Sequence, residues 1–242
     1  MSGNTKIPDL SVVVLCYKTG YFAWPFAENI ISMLNDENID YELILVGNYY
    51  PSSQDITPDV VRAIADKYER VIIVTKPKEG MMGWDMRSGL DAAKGRYIAA
   101  IDGDGQMPYQ DILKVYKMIK NSNFDLCKTY RFKRYDSFYR RLISISYNFI
   151  FSIIFMVSVR DANSKPKIMT REAFDKLRLT SDDWFIDAEI LIQAKRLGFR
   201  IGEIPTVFEK NIERVSFVKI PTIFEFIKNI IIYRIKEFRY KY

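Results

Sequence analysis

The chain has 242 residues, 48% of them hydrophobic and 27% charged, which fits one large globular domain with a buried core and excludes wholesale disorder. Lys and Arg outnumber Asp and Glu by 36 to 30, for a net charge of +6, and there is no histidine. That absence excludes Ser-His-Asp and Cys-His triads, a histidine base and zinc sites with histidine ligands, so any chemistry runs on carboxylates, amides, basic groups or a metal.

Met1–Leu10 is polar rather than a signal sequence, and a cytoplasmic location is the expectation. Ser11–Cys16 is a short β-branched run, the pattern of a strand buried on both faces. Pro25–Asn35 has helical apolar spacing at Phe26, Ile30, Met33 and Leu34. Tyr41–Val46 reads as a second strand, and Pro58 opens a helix carrying Val60, Val61, Ile64 and Tyr68. Val71–Thr75 is a third strand, and Gly83–Ala93 a helix stopped by Gly95. Tyr97–Ile101 is a fourth strand that runs into Asp102-Gly103-Asp104-Gly105-Gln106. A helix over Tyr109–Asn121 and a strand over Phe124–Thr129 follow. Cys16 and Cys127 both fall in these strands and read as reduced core thiols. The alternation predicts a mostly parallel sheet with helices on both faces, and ligands in such sheets bind beyond the carboxyl ends of the strands.

The fourth strand ends in two carboxylates and an amide at alternate positions, separated by glycines that permit a tight turn and close approach of a ligand. These are hard oxygen donors suited to Mg²⁺ or Mn²⁺ bridging two phosphates, although an Asp/Gly turn alone has the same composition. An EF-hand is excluded, because Leu113 stands where its twelfth, acidic ligand belongs.

The strand–D-x-D-x-Q–Pro segment, preceded by Gly89–Gly95, resembles the family 2 glycosyltransferases, and within them the polyprenyl-phosphate hexosyl synthases. The likeness covers roughly residues 10–220. It implies a GT-A (Rossmann-like) α/β fold with a mostly parallel central sheet, helices on both faces and amphipathic interface helices. It also implies that Asp102, Asp104 and Gln106 hold a metal and the diphosphate of a nucleotide sugar. Two stretches depart from the family. The first strand ends Leu15-Cys16-Tyr17-Lys18-Thr19 and keeps only Tyr17. The second ends Val46-Gly47-Asn48 where the family has two aspartates. Asn48 is then the candidate for a base edge, with Asp55 folding back toward the site, and the choice between UDP and GDP stays open.

Lys128–Arg141 holds six basic residues and one acid, and the next 18 residues, Leu142–Val159, carry no charge. A cationic end beside an apolar body suits an anionic bilayer surface. The resemblance gives Arg131, and after it Arg140 and Arg141, contact with an acceptor phosphate. Ser144, Asn148 and Ser152 form a stripe on one helical face. The segment therefore reads as an interface helix, a buried helix or a short span. Arg160–Lys167 is a loop in which Asp161 matches a family aspartate at the sugar pocket, and it leads into a strand at Ile168–Thr170. Asp183–Leu197 is a helix with acids first and bases last, stopped by Gly198. Its Asp187 stands where hydroxyl-acceptor relatives keep a general base. Arg214–Lys219 partly matches a basic loop that closes over the diphosphate in the family, which makes Arg214 and Lys219 donor-binding candidates. Residues 221–242 read as a basic amphipathic helix beyond a transferase domain of residues 1–220, in which 130–160 form the interface helices.

The expected activity is an inverting, metal-dependent transfer of a hexose from a nucleoside-diphosphate sugar to a polyprenyl phosphate at the membrane surface, with peripheral attachment. Asp104, Asp187 and Arg131 are its catalytic candidates. Two alternatives remain: transfer to a hydroxyl with Asp187 as base, and a non-catalytic membrane-binding module with a degenerate nucleotide pocket. Nucleic acid is not an expected partner, because the basic residues flank apolar runs rather than an aromatic platform.

Overall fold

The computed structural model describes residues 7–135, 138–209 and 228–235. Among the described residues seven strands form one sheet in the order β3-β2-β1-β4-β6-β5-β7. They are β1 (Leu10–Leu15), β2 (Tyr41–Val46), β3 (Val71–Val74), β4 (Tyr97–Asp102), β5 (Leu126–Arg134), β6 (Lys167–Thr170) and β7 (Ile201–Phe208). β6 runs antiparallel between β4 and β5, and every other pairing is parallel. Apolar residues fill β1 and β2 except for Ser11 and Glu42, which hydrogen-bond to each other, and all twelve positions are buried, because helices cover both faces.

On one face lie α1 (Ala23–Asp36), α2 (Thr57–Lys67) and α4 (Gln110–Lys120), packed over Val12, Val14, Leu43, Leu45 and Ile101. On the other lie α3 (Met82–Ala92), α5 (Phe138–Phe155), α6 (Arg171–Lys176) and α7 (Ile186–Arg196), over Val13, Leu15, Ile44, Val46 and Ala100. The strand alternation (period 2) sends odd and even positions of β1 into these two cores.

β5, β7, α5 and the short helix α6, for which the sequence sets no expectation, differ from the sequence reading. β5 extends to Arg134 because it pairs along its length with β7, with a register shift between Arg131 and Lys133. The sequence pattern does not announce β7. The strand contains Gly202 and Pro205, which weaken a strand pattern but are tolerated at a sheet edge, and β7 is the edge strand. The apolar helix begins earlier and ends at Phe155, followed by Met156 at φ 54°.

α5 is two-sided. Tyr147, Phe151 and Phe155 face the core with their rings in series, the first pair stacked at 6.1 Å and the second tilted at 5.4 Å. Leu142, Ile145, Phe149 and Ile153 face outward, with Phe149 66% exposed. The polar stripe meets protein: Asn148 Oδ1 accepts from the Ala162 amide at 2.8 Å, and Ser144 Oγ from Arg131 at 3.4 Å. Among the described residues no helix is long and apolar enough to cross a membrane. A helical segment over 228–235 packs Ile230 and Tyr233 into the same core, with the Tyr233 ring 5.1 Å from Phe185, and leaves Ile231, Ile232 and Ile235 exposed. The remainder of 221–242 lies outside the described residues.

Candidate active site

β1 and β4 are neighbours in register, with Leu15 opposite Asp102, so Tyr17 and the Asp102–Gln106 turn emerge side by side from the carboxyl end of the sheet. The turn is tight. Gly105 sits at φ +71°, and a Cβ there would come within 2.6 Å of the Phe22 ring, so no other residue fits without displacing it. Asp104 Oδ1 accepts from the Gln106 amide at 3.1 Å. Gln106 is also tied to the end of β7: its Nε2 donates to the Glu209 carbonyl at 3.2 Å and its carbonyl accepts from the Glu209 amide at 2.9 Å. The turn is thereby joined to the start of the segment carrying Arg214 and Lys219, both outside the described residues.

Asp102 is 29% exposed at the side chain, and Lys165 Nζ lies 3.1 Å from its Oδ1. Burial raises its pKa; Lys165 opposes that rise, and the Asp104 and Asp187 charges add to it. Among the described residues no three acidic or thiol side chains form a ready-made metal cluster. The donor set still fits Mg²⁺ or Mn²⁺. Two mutually repelling carboxylates and an amide oxygen stand at an accessible turn, and Mg²⁺ in particular is commonly held by one or two carboxylates completed by substrate phosphates.

Behind Asp102 lies a buried ionic floor that the sequence alone does not reveal. Lys165, 2% exposed, bridges Asp102 and Asp187, with Asp187 Oδ2 at 3.0 Å. Lys167 Nζ holds the other Asp187 oxygen at 2.5 Å and the Ser164 carbonyl at 2.9 Å. Burial would raise the Asp187 pKa, but Lys165 and Lys167 more than offset this and hold it below the ordinary carboxylate value. Burial lowers Lys167 to about 8 even with Asp187 beside it. The signal in the sequence is two lysines flanking Pro166 at the mouth of a strand, far along the chain from the Asp102 and Asp187 that they meet.

Arg131 does not stand out as a surface charge. Its Nε and Nη2 grip Asp161 Oδ2 and Oδ1 at 2.5 and 2.7 Å. Burial of Asp161 works against ionisation, and the Arg131 guanidinium overrides it and holds the carboxyl well below the usual range. Lys128, read from sequence as part of the cationic surface, is fully buried and donates to the Thr129 and Asp161 carbonyls and to Glu203. The basic run therefore divides. Lys128 and Arg131 turn inward on β5, Lys133 and Arg141 stay exposed, and the Arg140 side chain lies outside the described residues.

The nucleotide side also differs from expectation. Asn48 is completely buried. Its Nδ2 donates to Asp85 at 2.9 Å and Ser88 at 3.0 Å, and its Oδ1 accepts from the Lys76 amide at 2.9 Å. Both amide protons are thus spent on the fold rather than on a base edge, and Asn48 supports α3 instead. Lys78 pairs with Asp85 in a buried contact and places its Nζ 4.2 Å from the centre of the Tyr17 ring. Burial raises the Asp85 pKa, and the Lys78 hydrogen bond works against that. Asp55 does fold back, accepting from the Lys18 amide at 3.2 Å. The pairing of Lys78 with Asp85 is hidden in the sequence, because the two lie seven residues apart across a loop.

Residues 11–178, more than two thirds of the chain, match Glycosyl transferase family 2. The chain belongs to glycosyltransferase family 2. Curated relatives of this glycosyltransferase include the dolichyl-phosphate beta-glucosyltransferases ALG5D and ALG5A of Trichomonas vaginalis. They are 24% identical over 70% of the chain and 23% identical over 84% of it. The chain spans 54% of the length of the first and 70% of the second. Among solved structures, glucosyl-3-phosphoglycerate synthase from Mycobacterium tuberculosis, with Mn²⁺, UDP and glucosyl-3-phosphoglycerate, is similar. Its TM-score is 0.66 over 93% of this chain and 77% of that one, at 18% identity. The shared architecture is the α/β GT-A-like fold of a mostly parallel seven-stranded sheet.

Proposed function

We propose that this family 2 glycosyltransferase transfers a hexose from a nucleoside-diphosphate sugar to a polyprenyl phosphate, with inversion, at a membrane surface. Residues 1–220 carry the transferase, and the described helical segment over 228–235 packs on it through Ile230 and Tyr233. Glucose is the first sugar to test, because the relatives are named for it. The base, UDP or GDP, is left to the same screen.

The observation that carries the choice of acceptor is the state of Asp187. A general base works best with a pKa near the operating pH and a proton within reach. Asp187 is 1% exposed, with both oxygens held by ammonium groups. A phosphate acceptor needs no base, since its oxygen is already anionic at neutral pH. That oxygen attacks the anomeric carbon while the bond from that carbon to the diphosphate breaks, and its electron pair leaves with the diphosphate. In this reading Asp104 and Gln106 hold a divalent cation with help from Asp102, and the cation when bound supplies Lewis-acid stabilisation of the leaving diphosphate. Tyr17, beside Lys78, lines the base side, while Arg214 and Lys219 belong to the donor. Arg131, pinned in direction by Asp161 at the end of β5, orients the acceptor phosphate together with Arg140.

Support for the membrane surface comes from the outward face of α5. Leu142, Ile145, Phe149 and Ile153 are exposed on one side of a helix whose other side is core, and Arg141 and Lys133 are exposed nearby in sequence. Asp104→Ala tests the donor site. Transfer is expected to vanish with the far-ultraviolet circular dichroism and melting temperature unchanged, and EDTA is expected to stop the unaltered enzyme. Full activity in either case rejects the reading.

A further inference from the structure

Lys165 is the least expected group at the site. It arrives on the loop before β6, is 2% exposed, and its three ammonium protons meet three partners: Asp102 at 3.1 Å, Asp187 at 3.0 Å and the Met82 sulfur at 3.5 Å. Lys167 supplies a second ammonium to Asp187, so Lys165 is not needed to neutralise that carboxylate alone. Its distinct effect falls on Asp102, the first carboxylate of the D-x-D turn. An ammonium and a divalent cation compete for the same carboxylate. Inside a protein a unit charge a few ångströms away weighs far more than it does in water.

We infer that Lys165 is a positioning residue that keeps Asp102 as an internal ammonium salt, so that the turn binds a divalent cation poorly by itself and takes it up together with a nucleoside diphosphate. This rests on the assignment of Asp102–Gln106 to the donor site and adds the order in which that site fills. The diphosphate supplies the oxygen ligands that Asp102 is slow to release. Lys165 meanwhile remains beside the carboxylate and fixes its direction.

The test reads metal binding rather than turnover. Mn²⁺ is titrated into the full chain and followed by the paramagnetic resonance of the free ion, alone and with UDP or GDP. The unaltered protein should bind Mn²⁺ at least ~10-fold more tightly with the nucleotide than without it. Lys165→Met should gain about that factor for Mn²⁺ alone, and Lys165→Arg should restore the original difference. A purely structural lysine would leave Mn²⁺ affinity unchanged, and that result in a folded Lys165→Met protein overturns the inference. A second measurement needs no variant to fold: Mg²⁺ with nucleotide should shift the ¹⁵N resonance of the Lys165 ammonium and leave that of Lys128, held by Glu203 and two carbonyls, in place. An unmoved Lys165 resonance at saturation also overturns it. If Asp104→Ala binds Mn²⁺–nucleotide as well as the unaltered chain, the donor-site assignment itself fails. If Asp104→Ala loses binding while Lys165→Met is silent, only the role of Lys165 fails.

Discussion

Asp161→Asn removes the charge that holds Arg131 and leaves its shape almost unchanged. In the structure the pair is bidentate at 2.5 and 2.7 Å, with side-chain exposures of 11% for Arg131 and 6% for Asp161. Breaking a buried pair by removing one partner costs about 3–5 kcal/mol, because the other charge stays buried without its counter-ion. For a chain of this size each kcal/mol moves the melting temperature by roughly 2–4 °C, so a drop of about 6–20 °C is expected in a thermal melt. The pH dependence has a definite sign. The Asp161 pKa is depressed in the folded state, so the stabilisation is complete above the unfolded value of about 3.9 and is lost as pH falls through the folded value. The unaltered chain should therefore lose stability more steeply than Asp161→Asn below about pH 4. A double replacement of Arg131 and Asp161 by apolar residues should recover part of the loss. Urea titration measures all three proteins. A change within about 0.5 kcal/mol for Asp161→Asn, the range of ordinary surface substitutions, would refute the buried pair and with it the fixed direction of Arg131.

Other outcomes follow from the same geometry. Asp187→Asn should lower stability, since Lys165 and Lys167 lose their shared partner. Its kcat on a polyprenyl phosphate should fall by less than about 100-fold, whereas loss of a general base costs about 10²–10⁴; a larger fall, with the protein folded, points to a hydroxyl acceptor. Phe151→Ala, at a fully buried position between Tyr147 and Phe155, should cost about 3–5 kcal/mol in denaturant. Phe149→Ala, on the exposed side of the same helix, should stay within about 0.5 kcal/mol. It should weaken partition onto anionic phospholipid vesicles in a sedimentation assay; equal partition would remove α5 from the membrane-facing surface.

The parallel half of the fold is legible because its strands are short, largely apolar runs and its helices carry clear punctuation. Tyr41–Val46 matches β2 to the residue, and Pro58 and Gly198 mark a helix start and a helix end, whereas α3 ends before Gly95, at Ala93 in an extended conformation. β7 was not legible, because Gly202 and Pro205 interrupt its pattern and only its edge position, a property of the assembled sheet, accommodates them. The D-x-D-x-Q turn was readable as a local motif with a defined place after a strand. The ionic floor was not, because its members pair across the chain. Lys167 meets Asp187 20 residues on, Lys165 meets Asp102 63 residues back, and Arg131 meets Asp161 30 residues on. A lysine in isolation reads as a solvated charge, and only the fold shows that Lys128, Lys165 and Lys167 are buried. Asn48 misled for the same reason, its amide being committed to Asp85 and Ser88 on a helix that begins more than thirty residues later.

The acceptor decides the account. Purified full chain is incubated with radiolabelled UDP- or GDP-hexose, Mn²⁺ and a short polyprenyl phosphate in detergent, and the organic phase is analysed by mass spectrometry. The predicted result is a polyprenyl-phosphate hexose of inverted anomeric configuration, formed only with the metal and absent with the corresponding polyprenol. Transfer to the polyprenol or to a sugar hydroxyl, with none to the phosphate, would contradict the central claim.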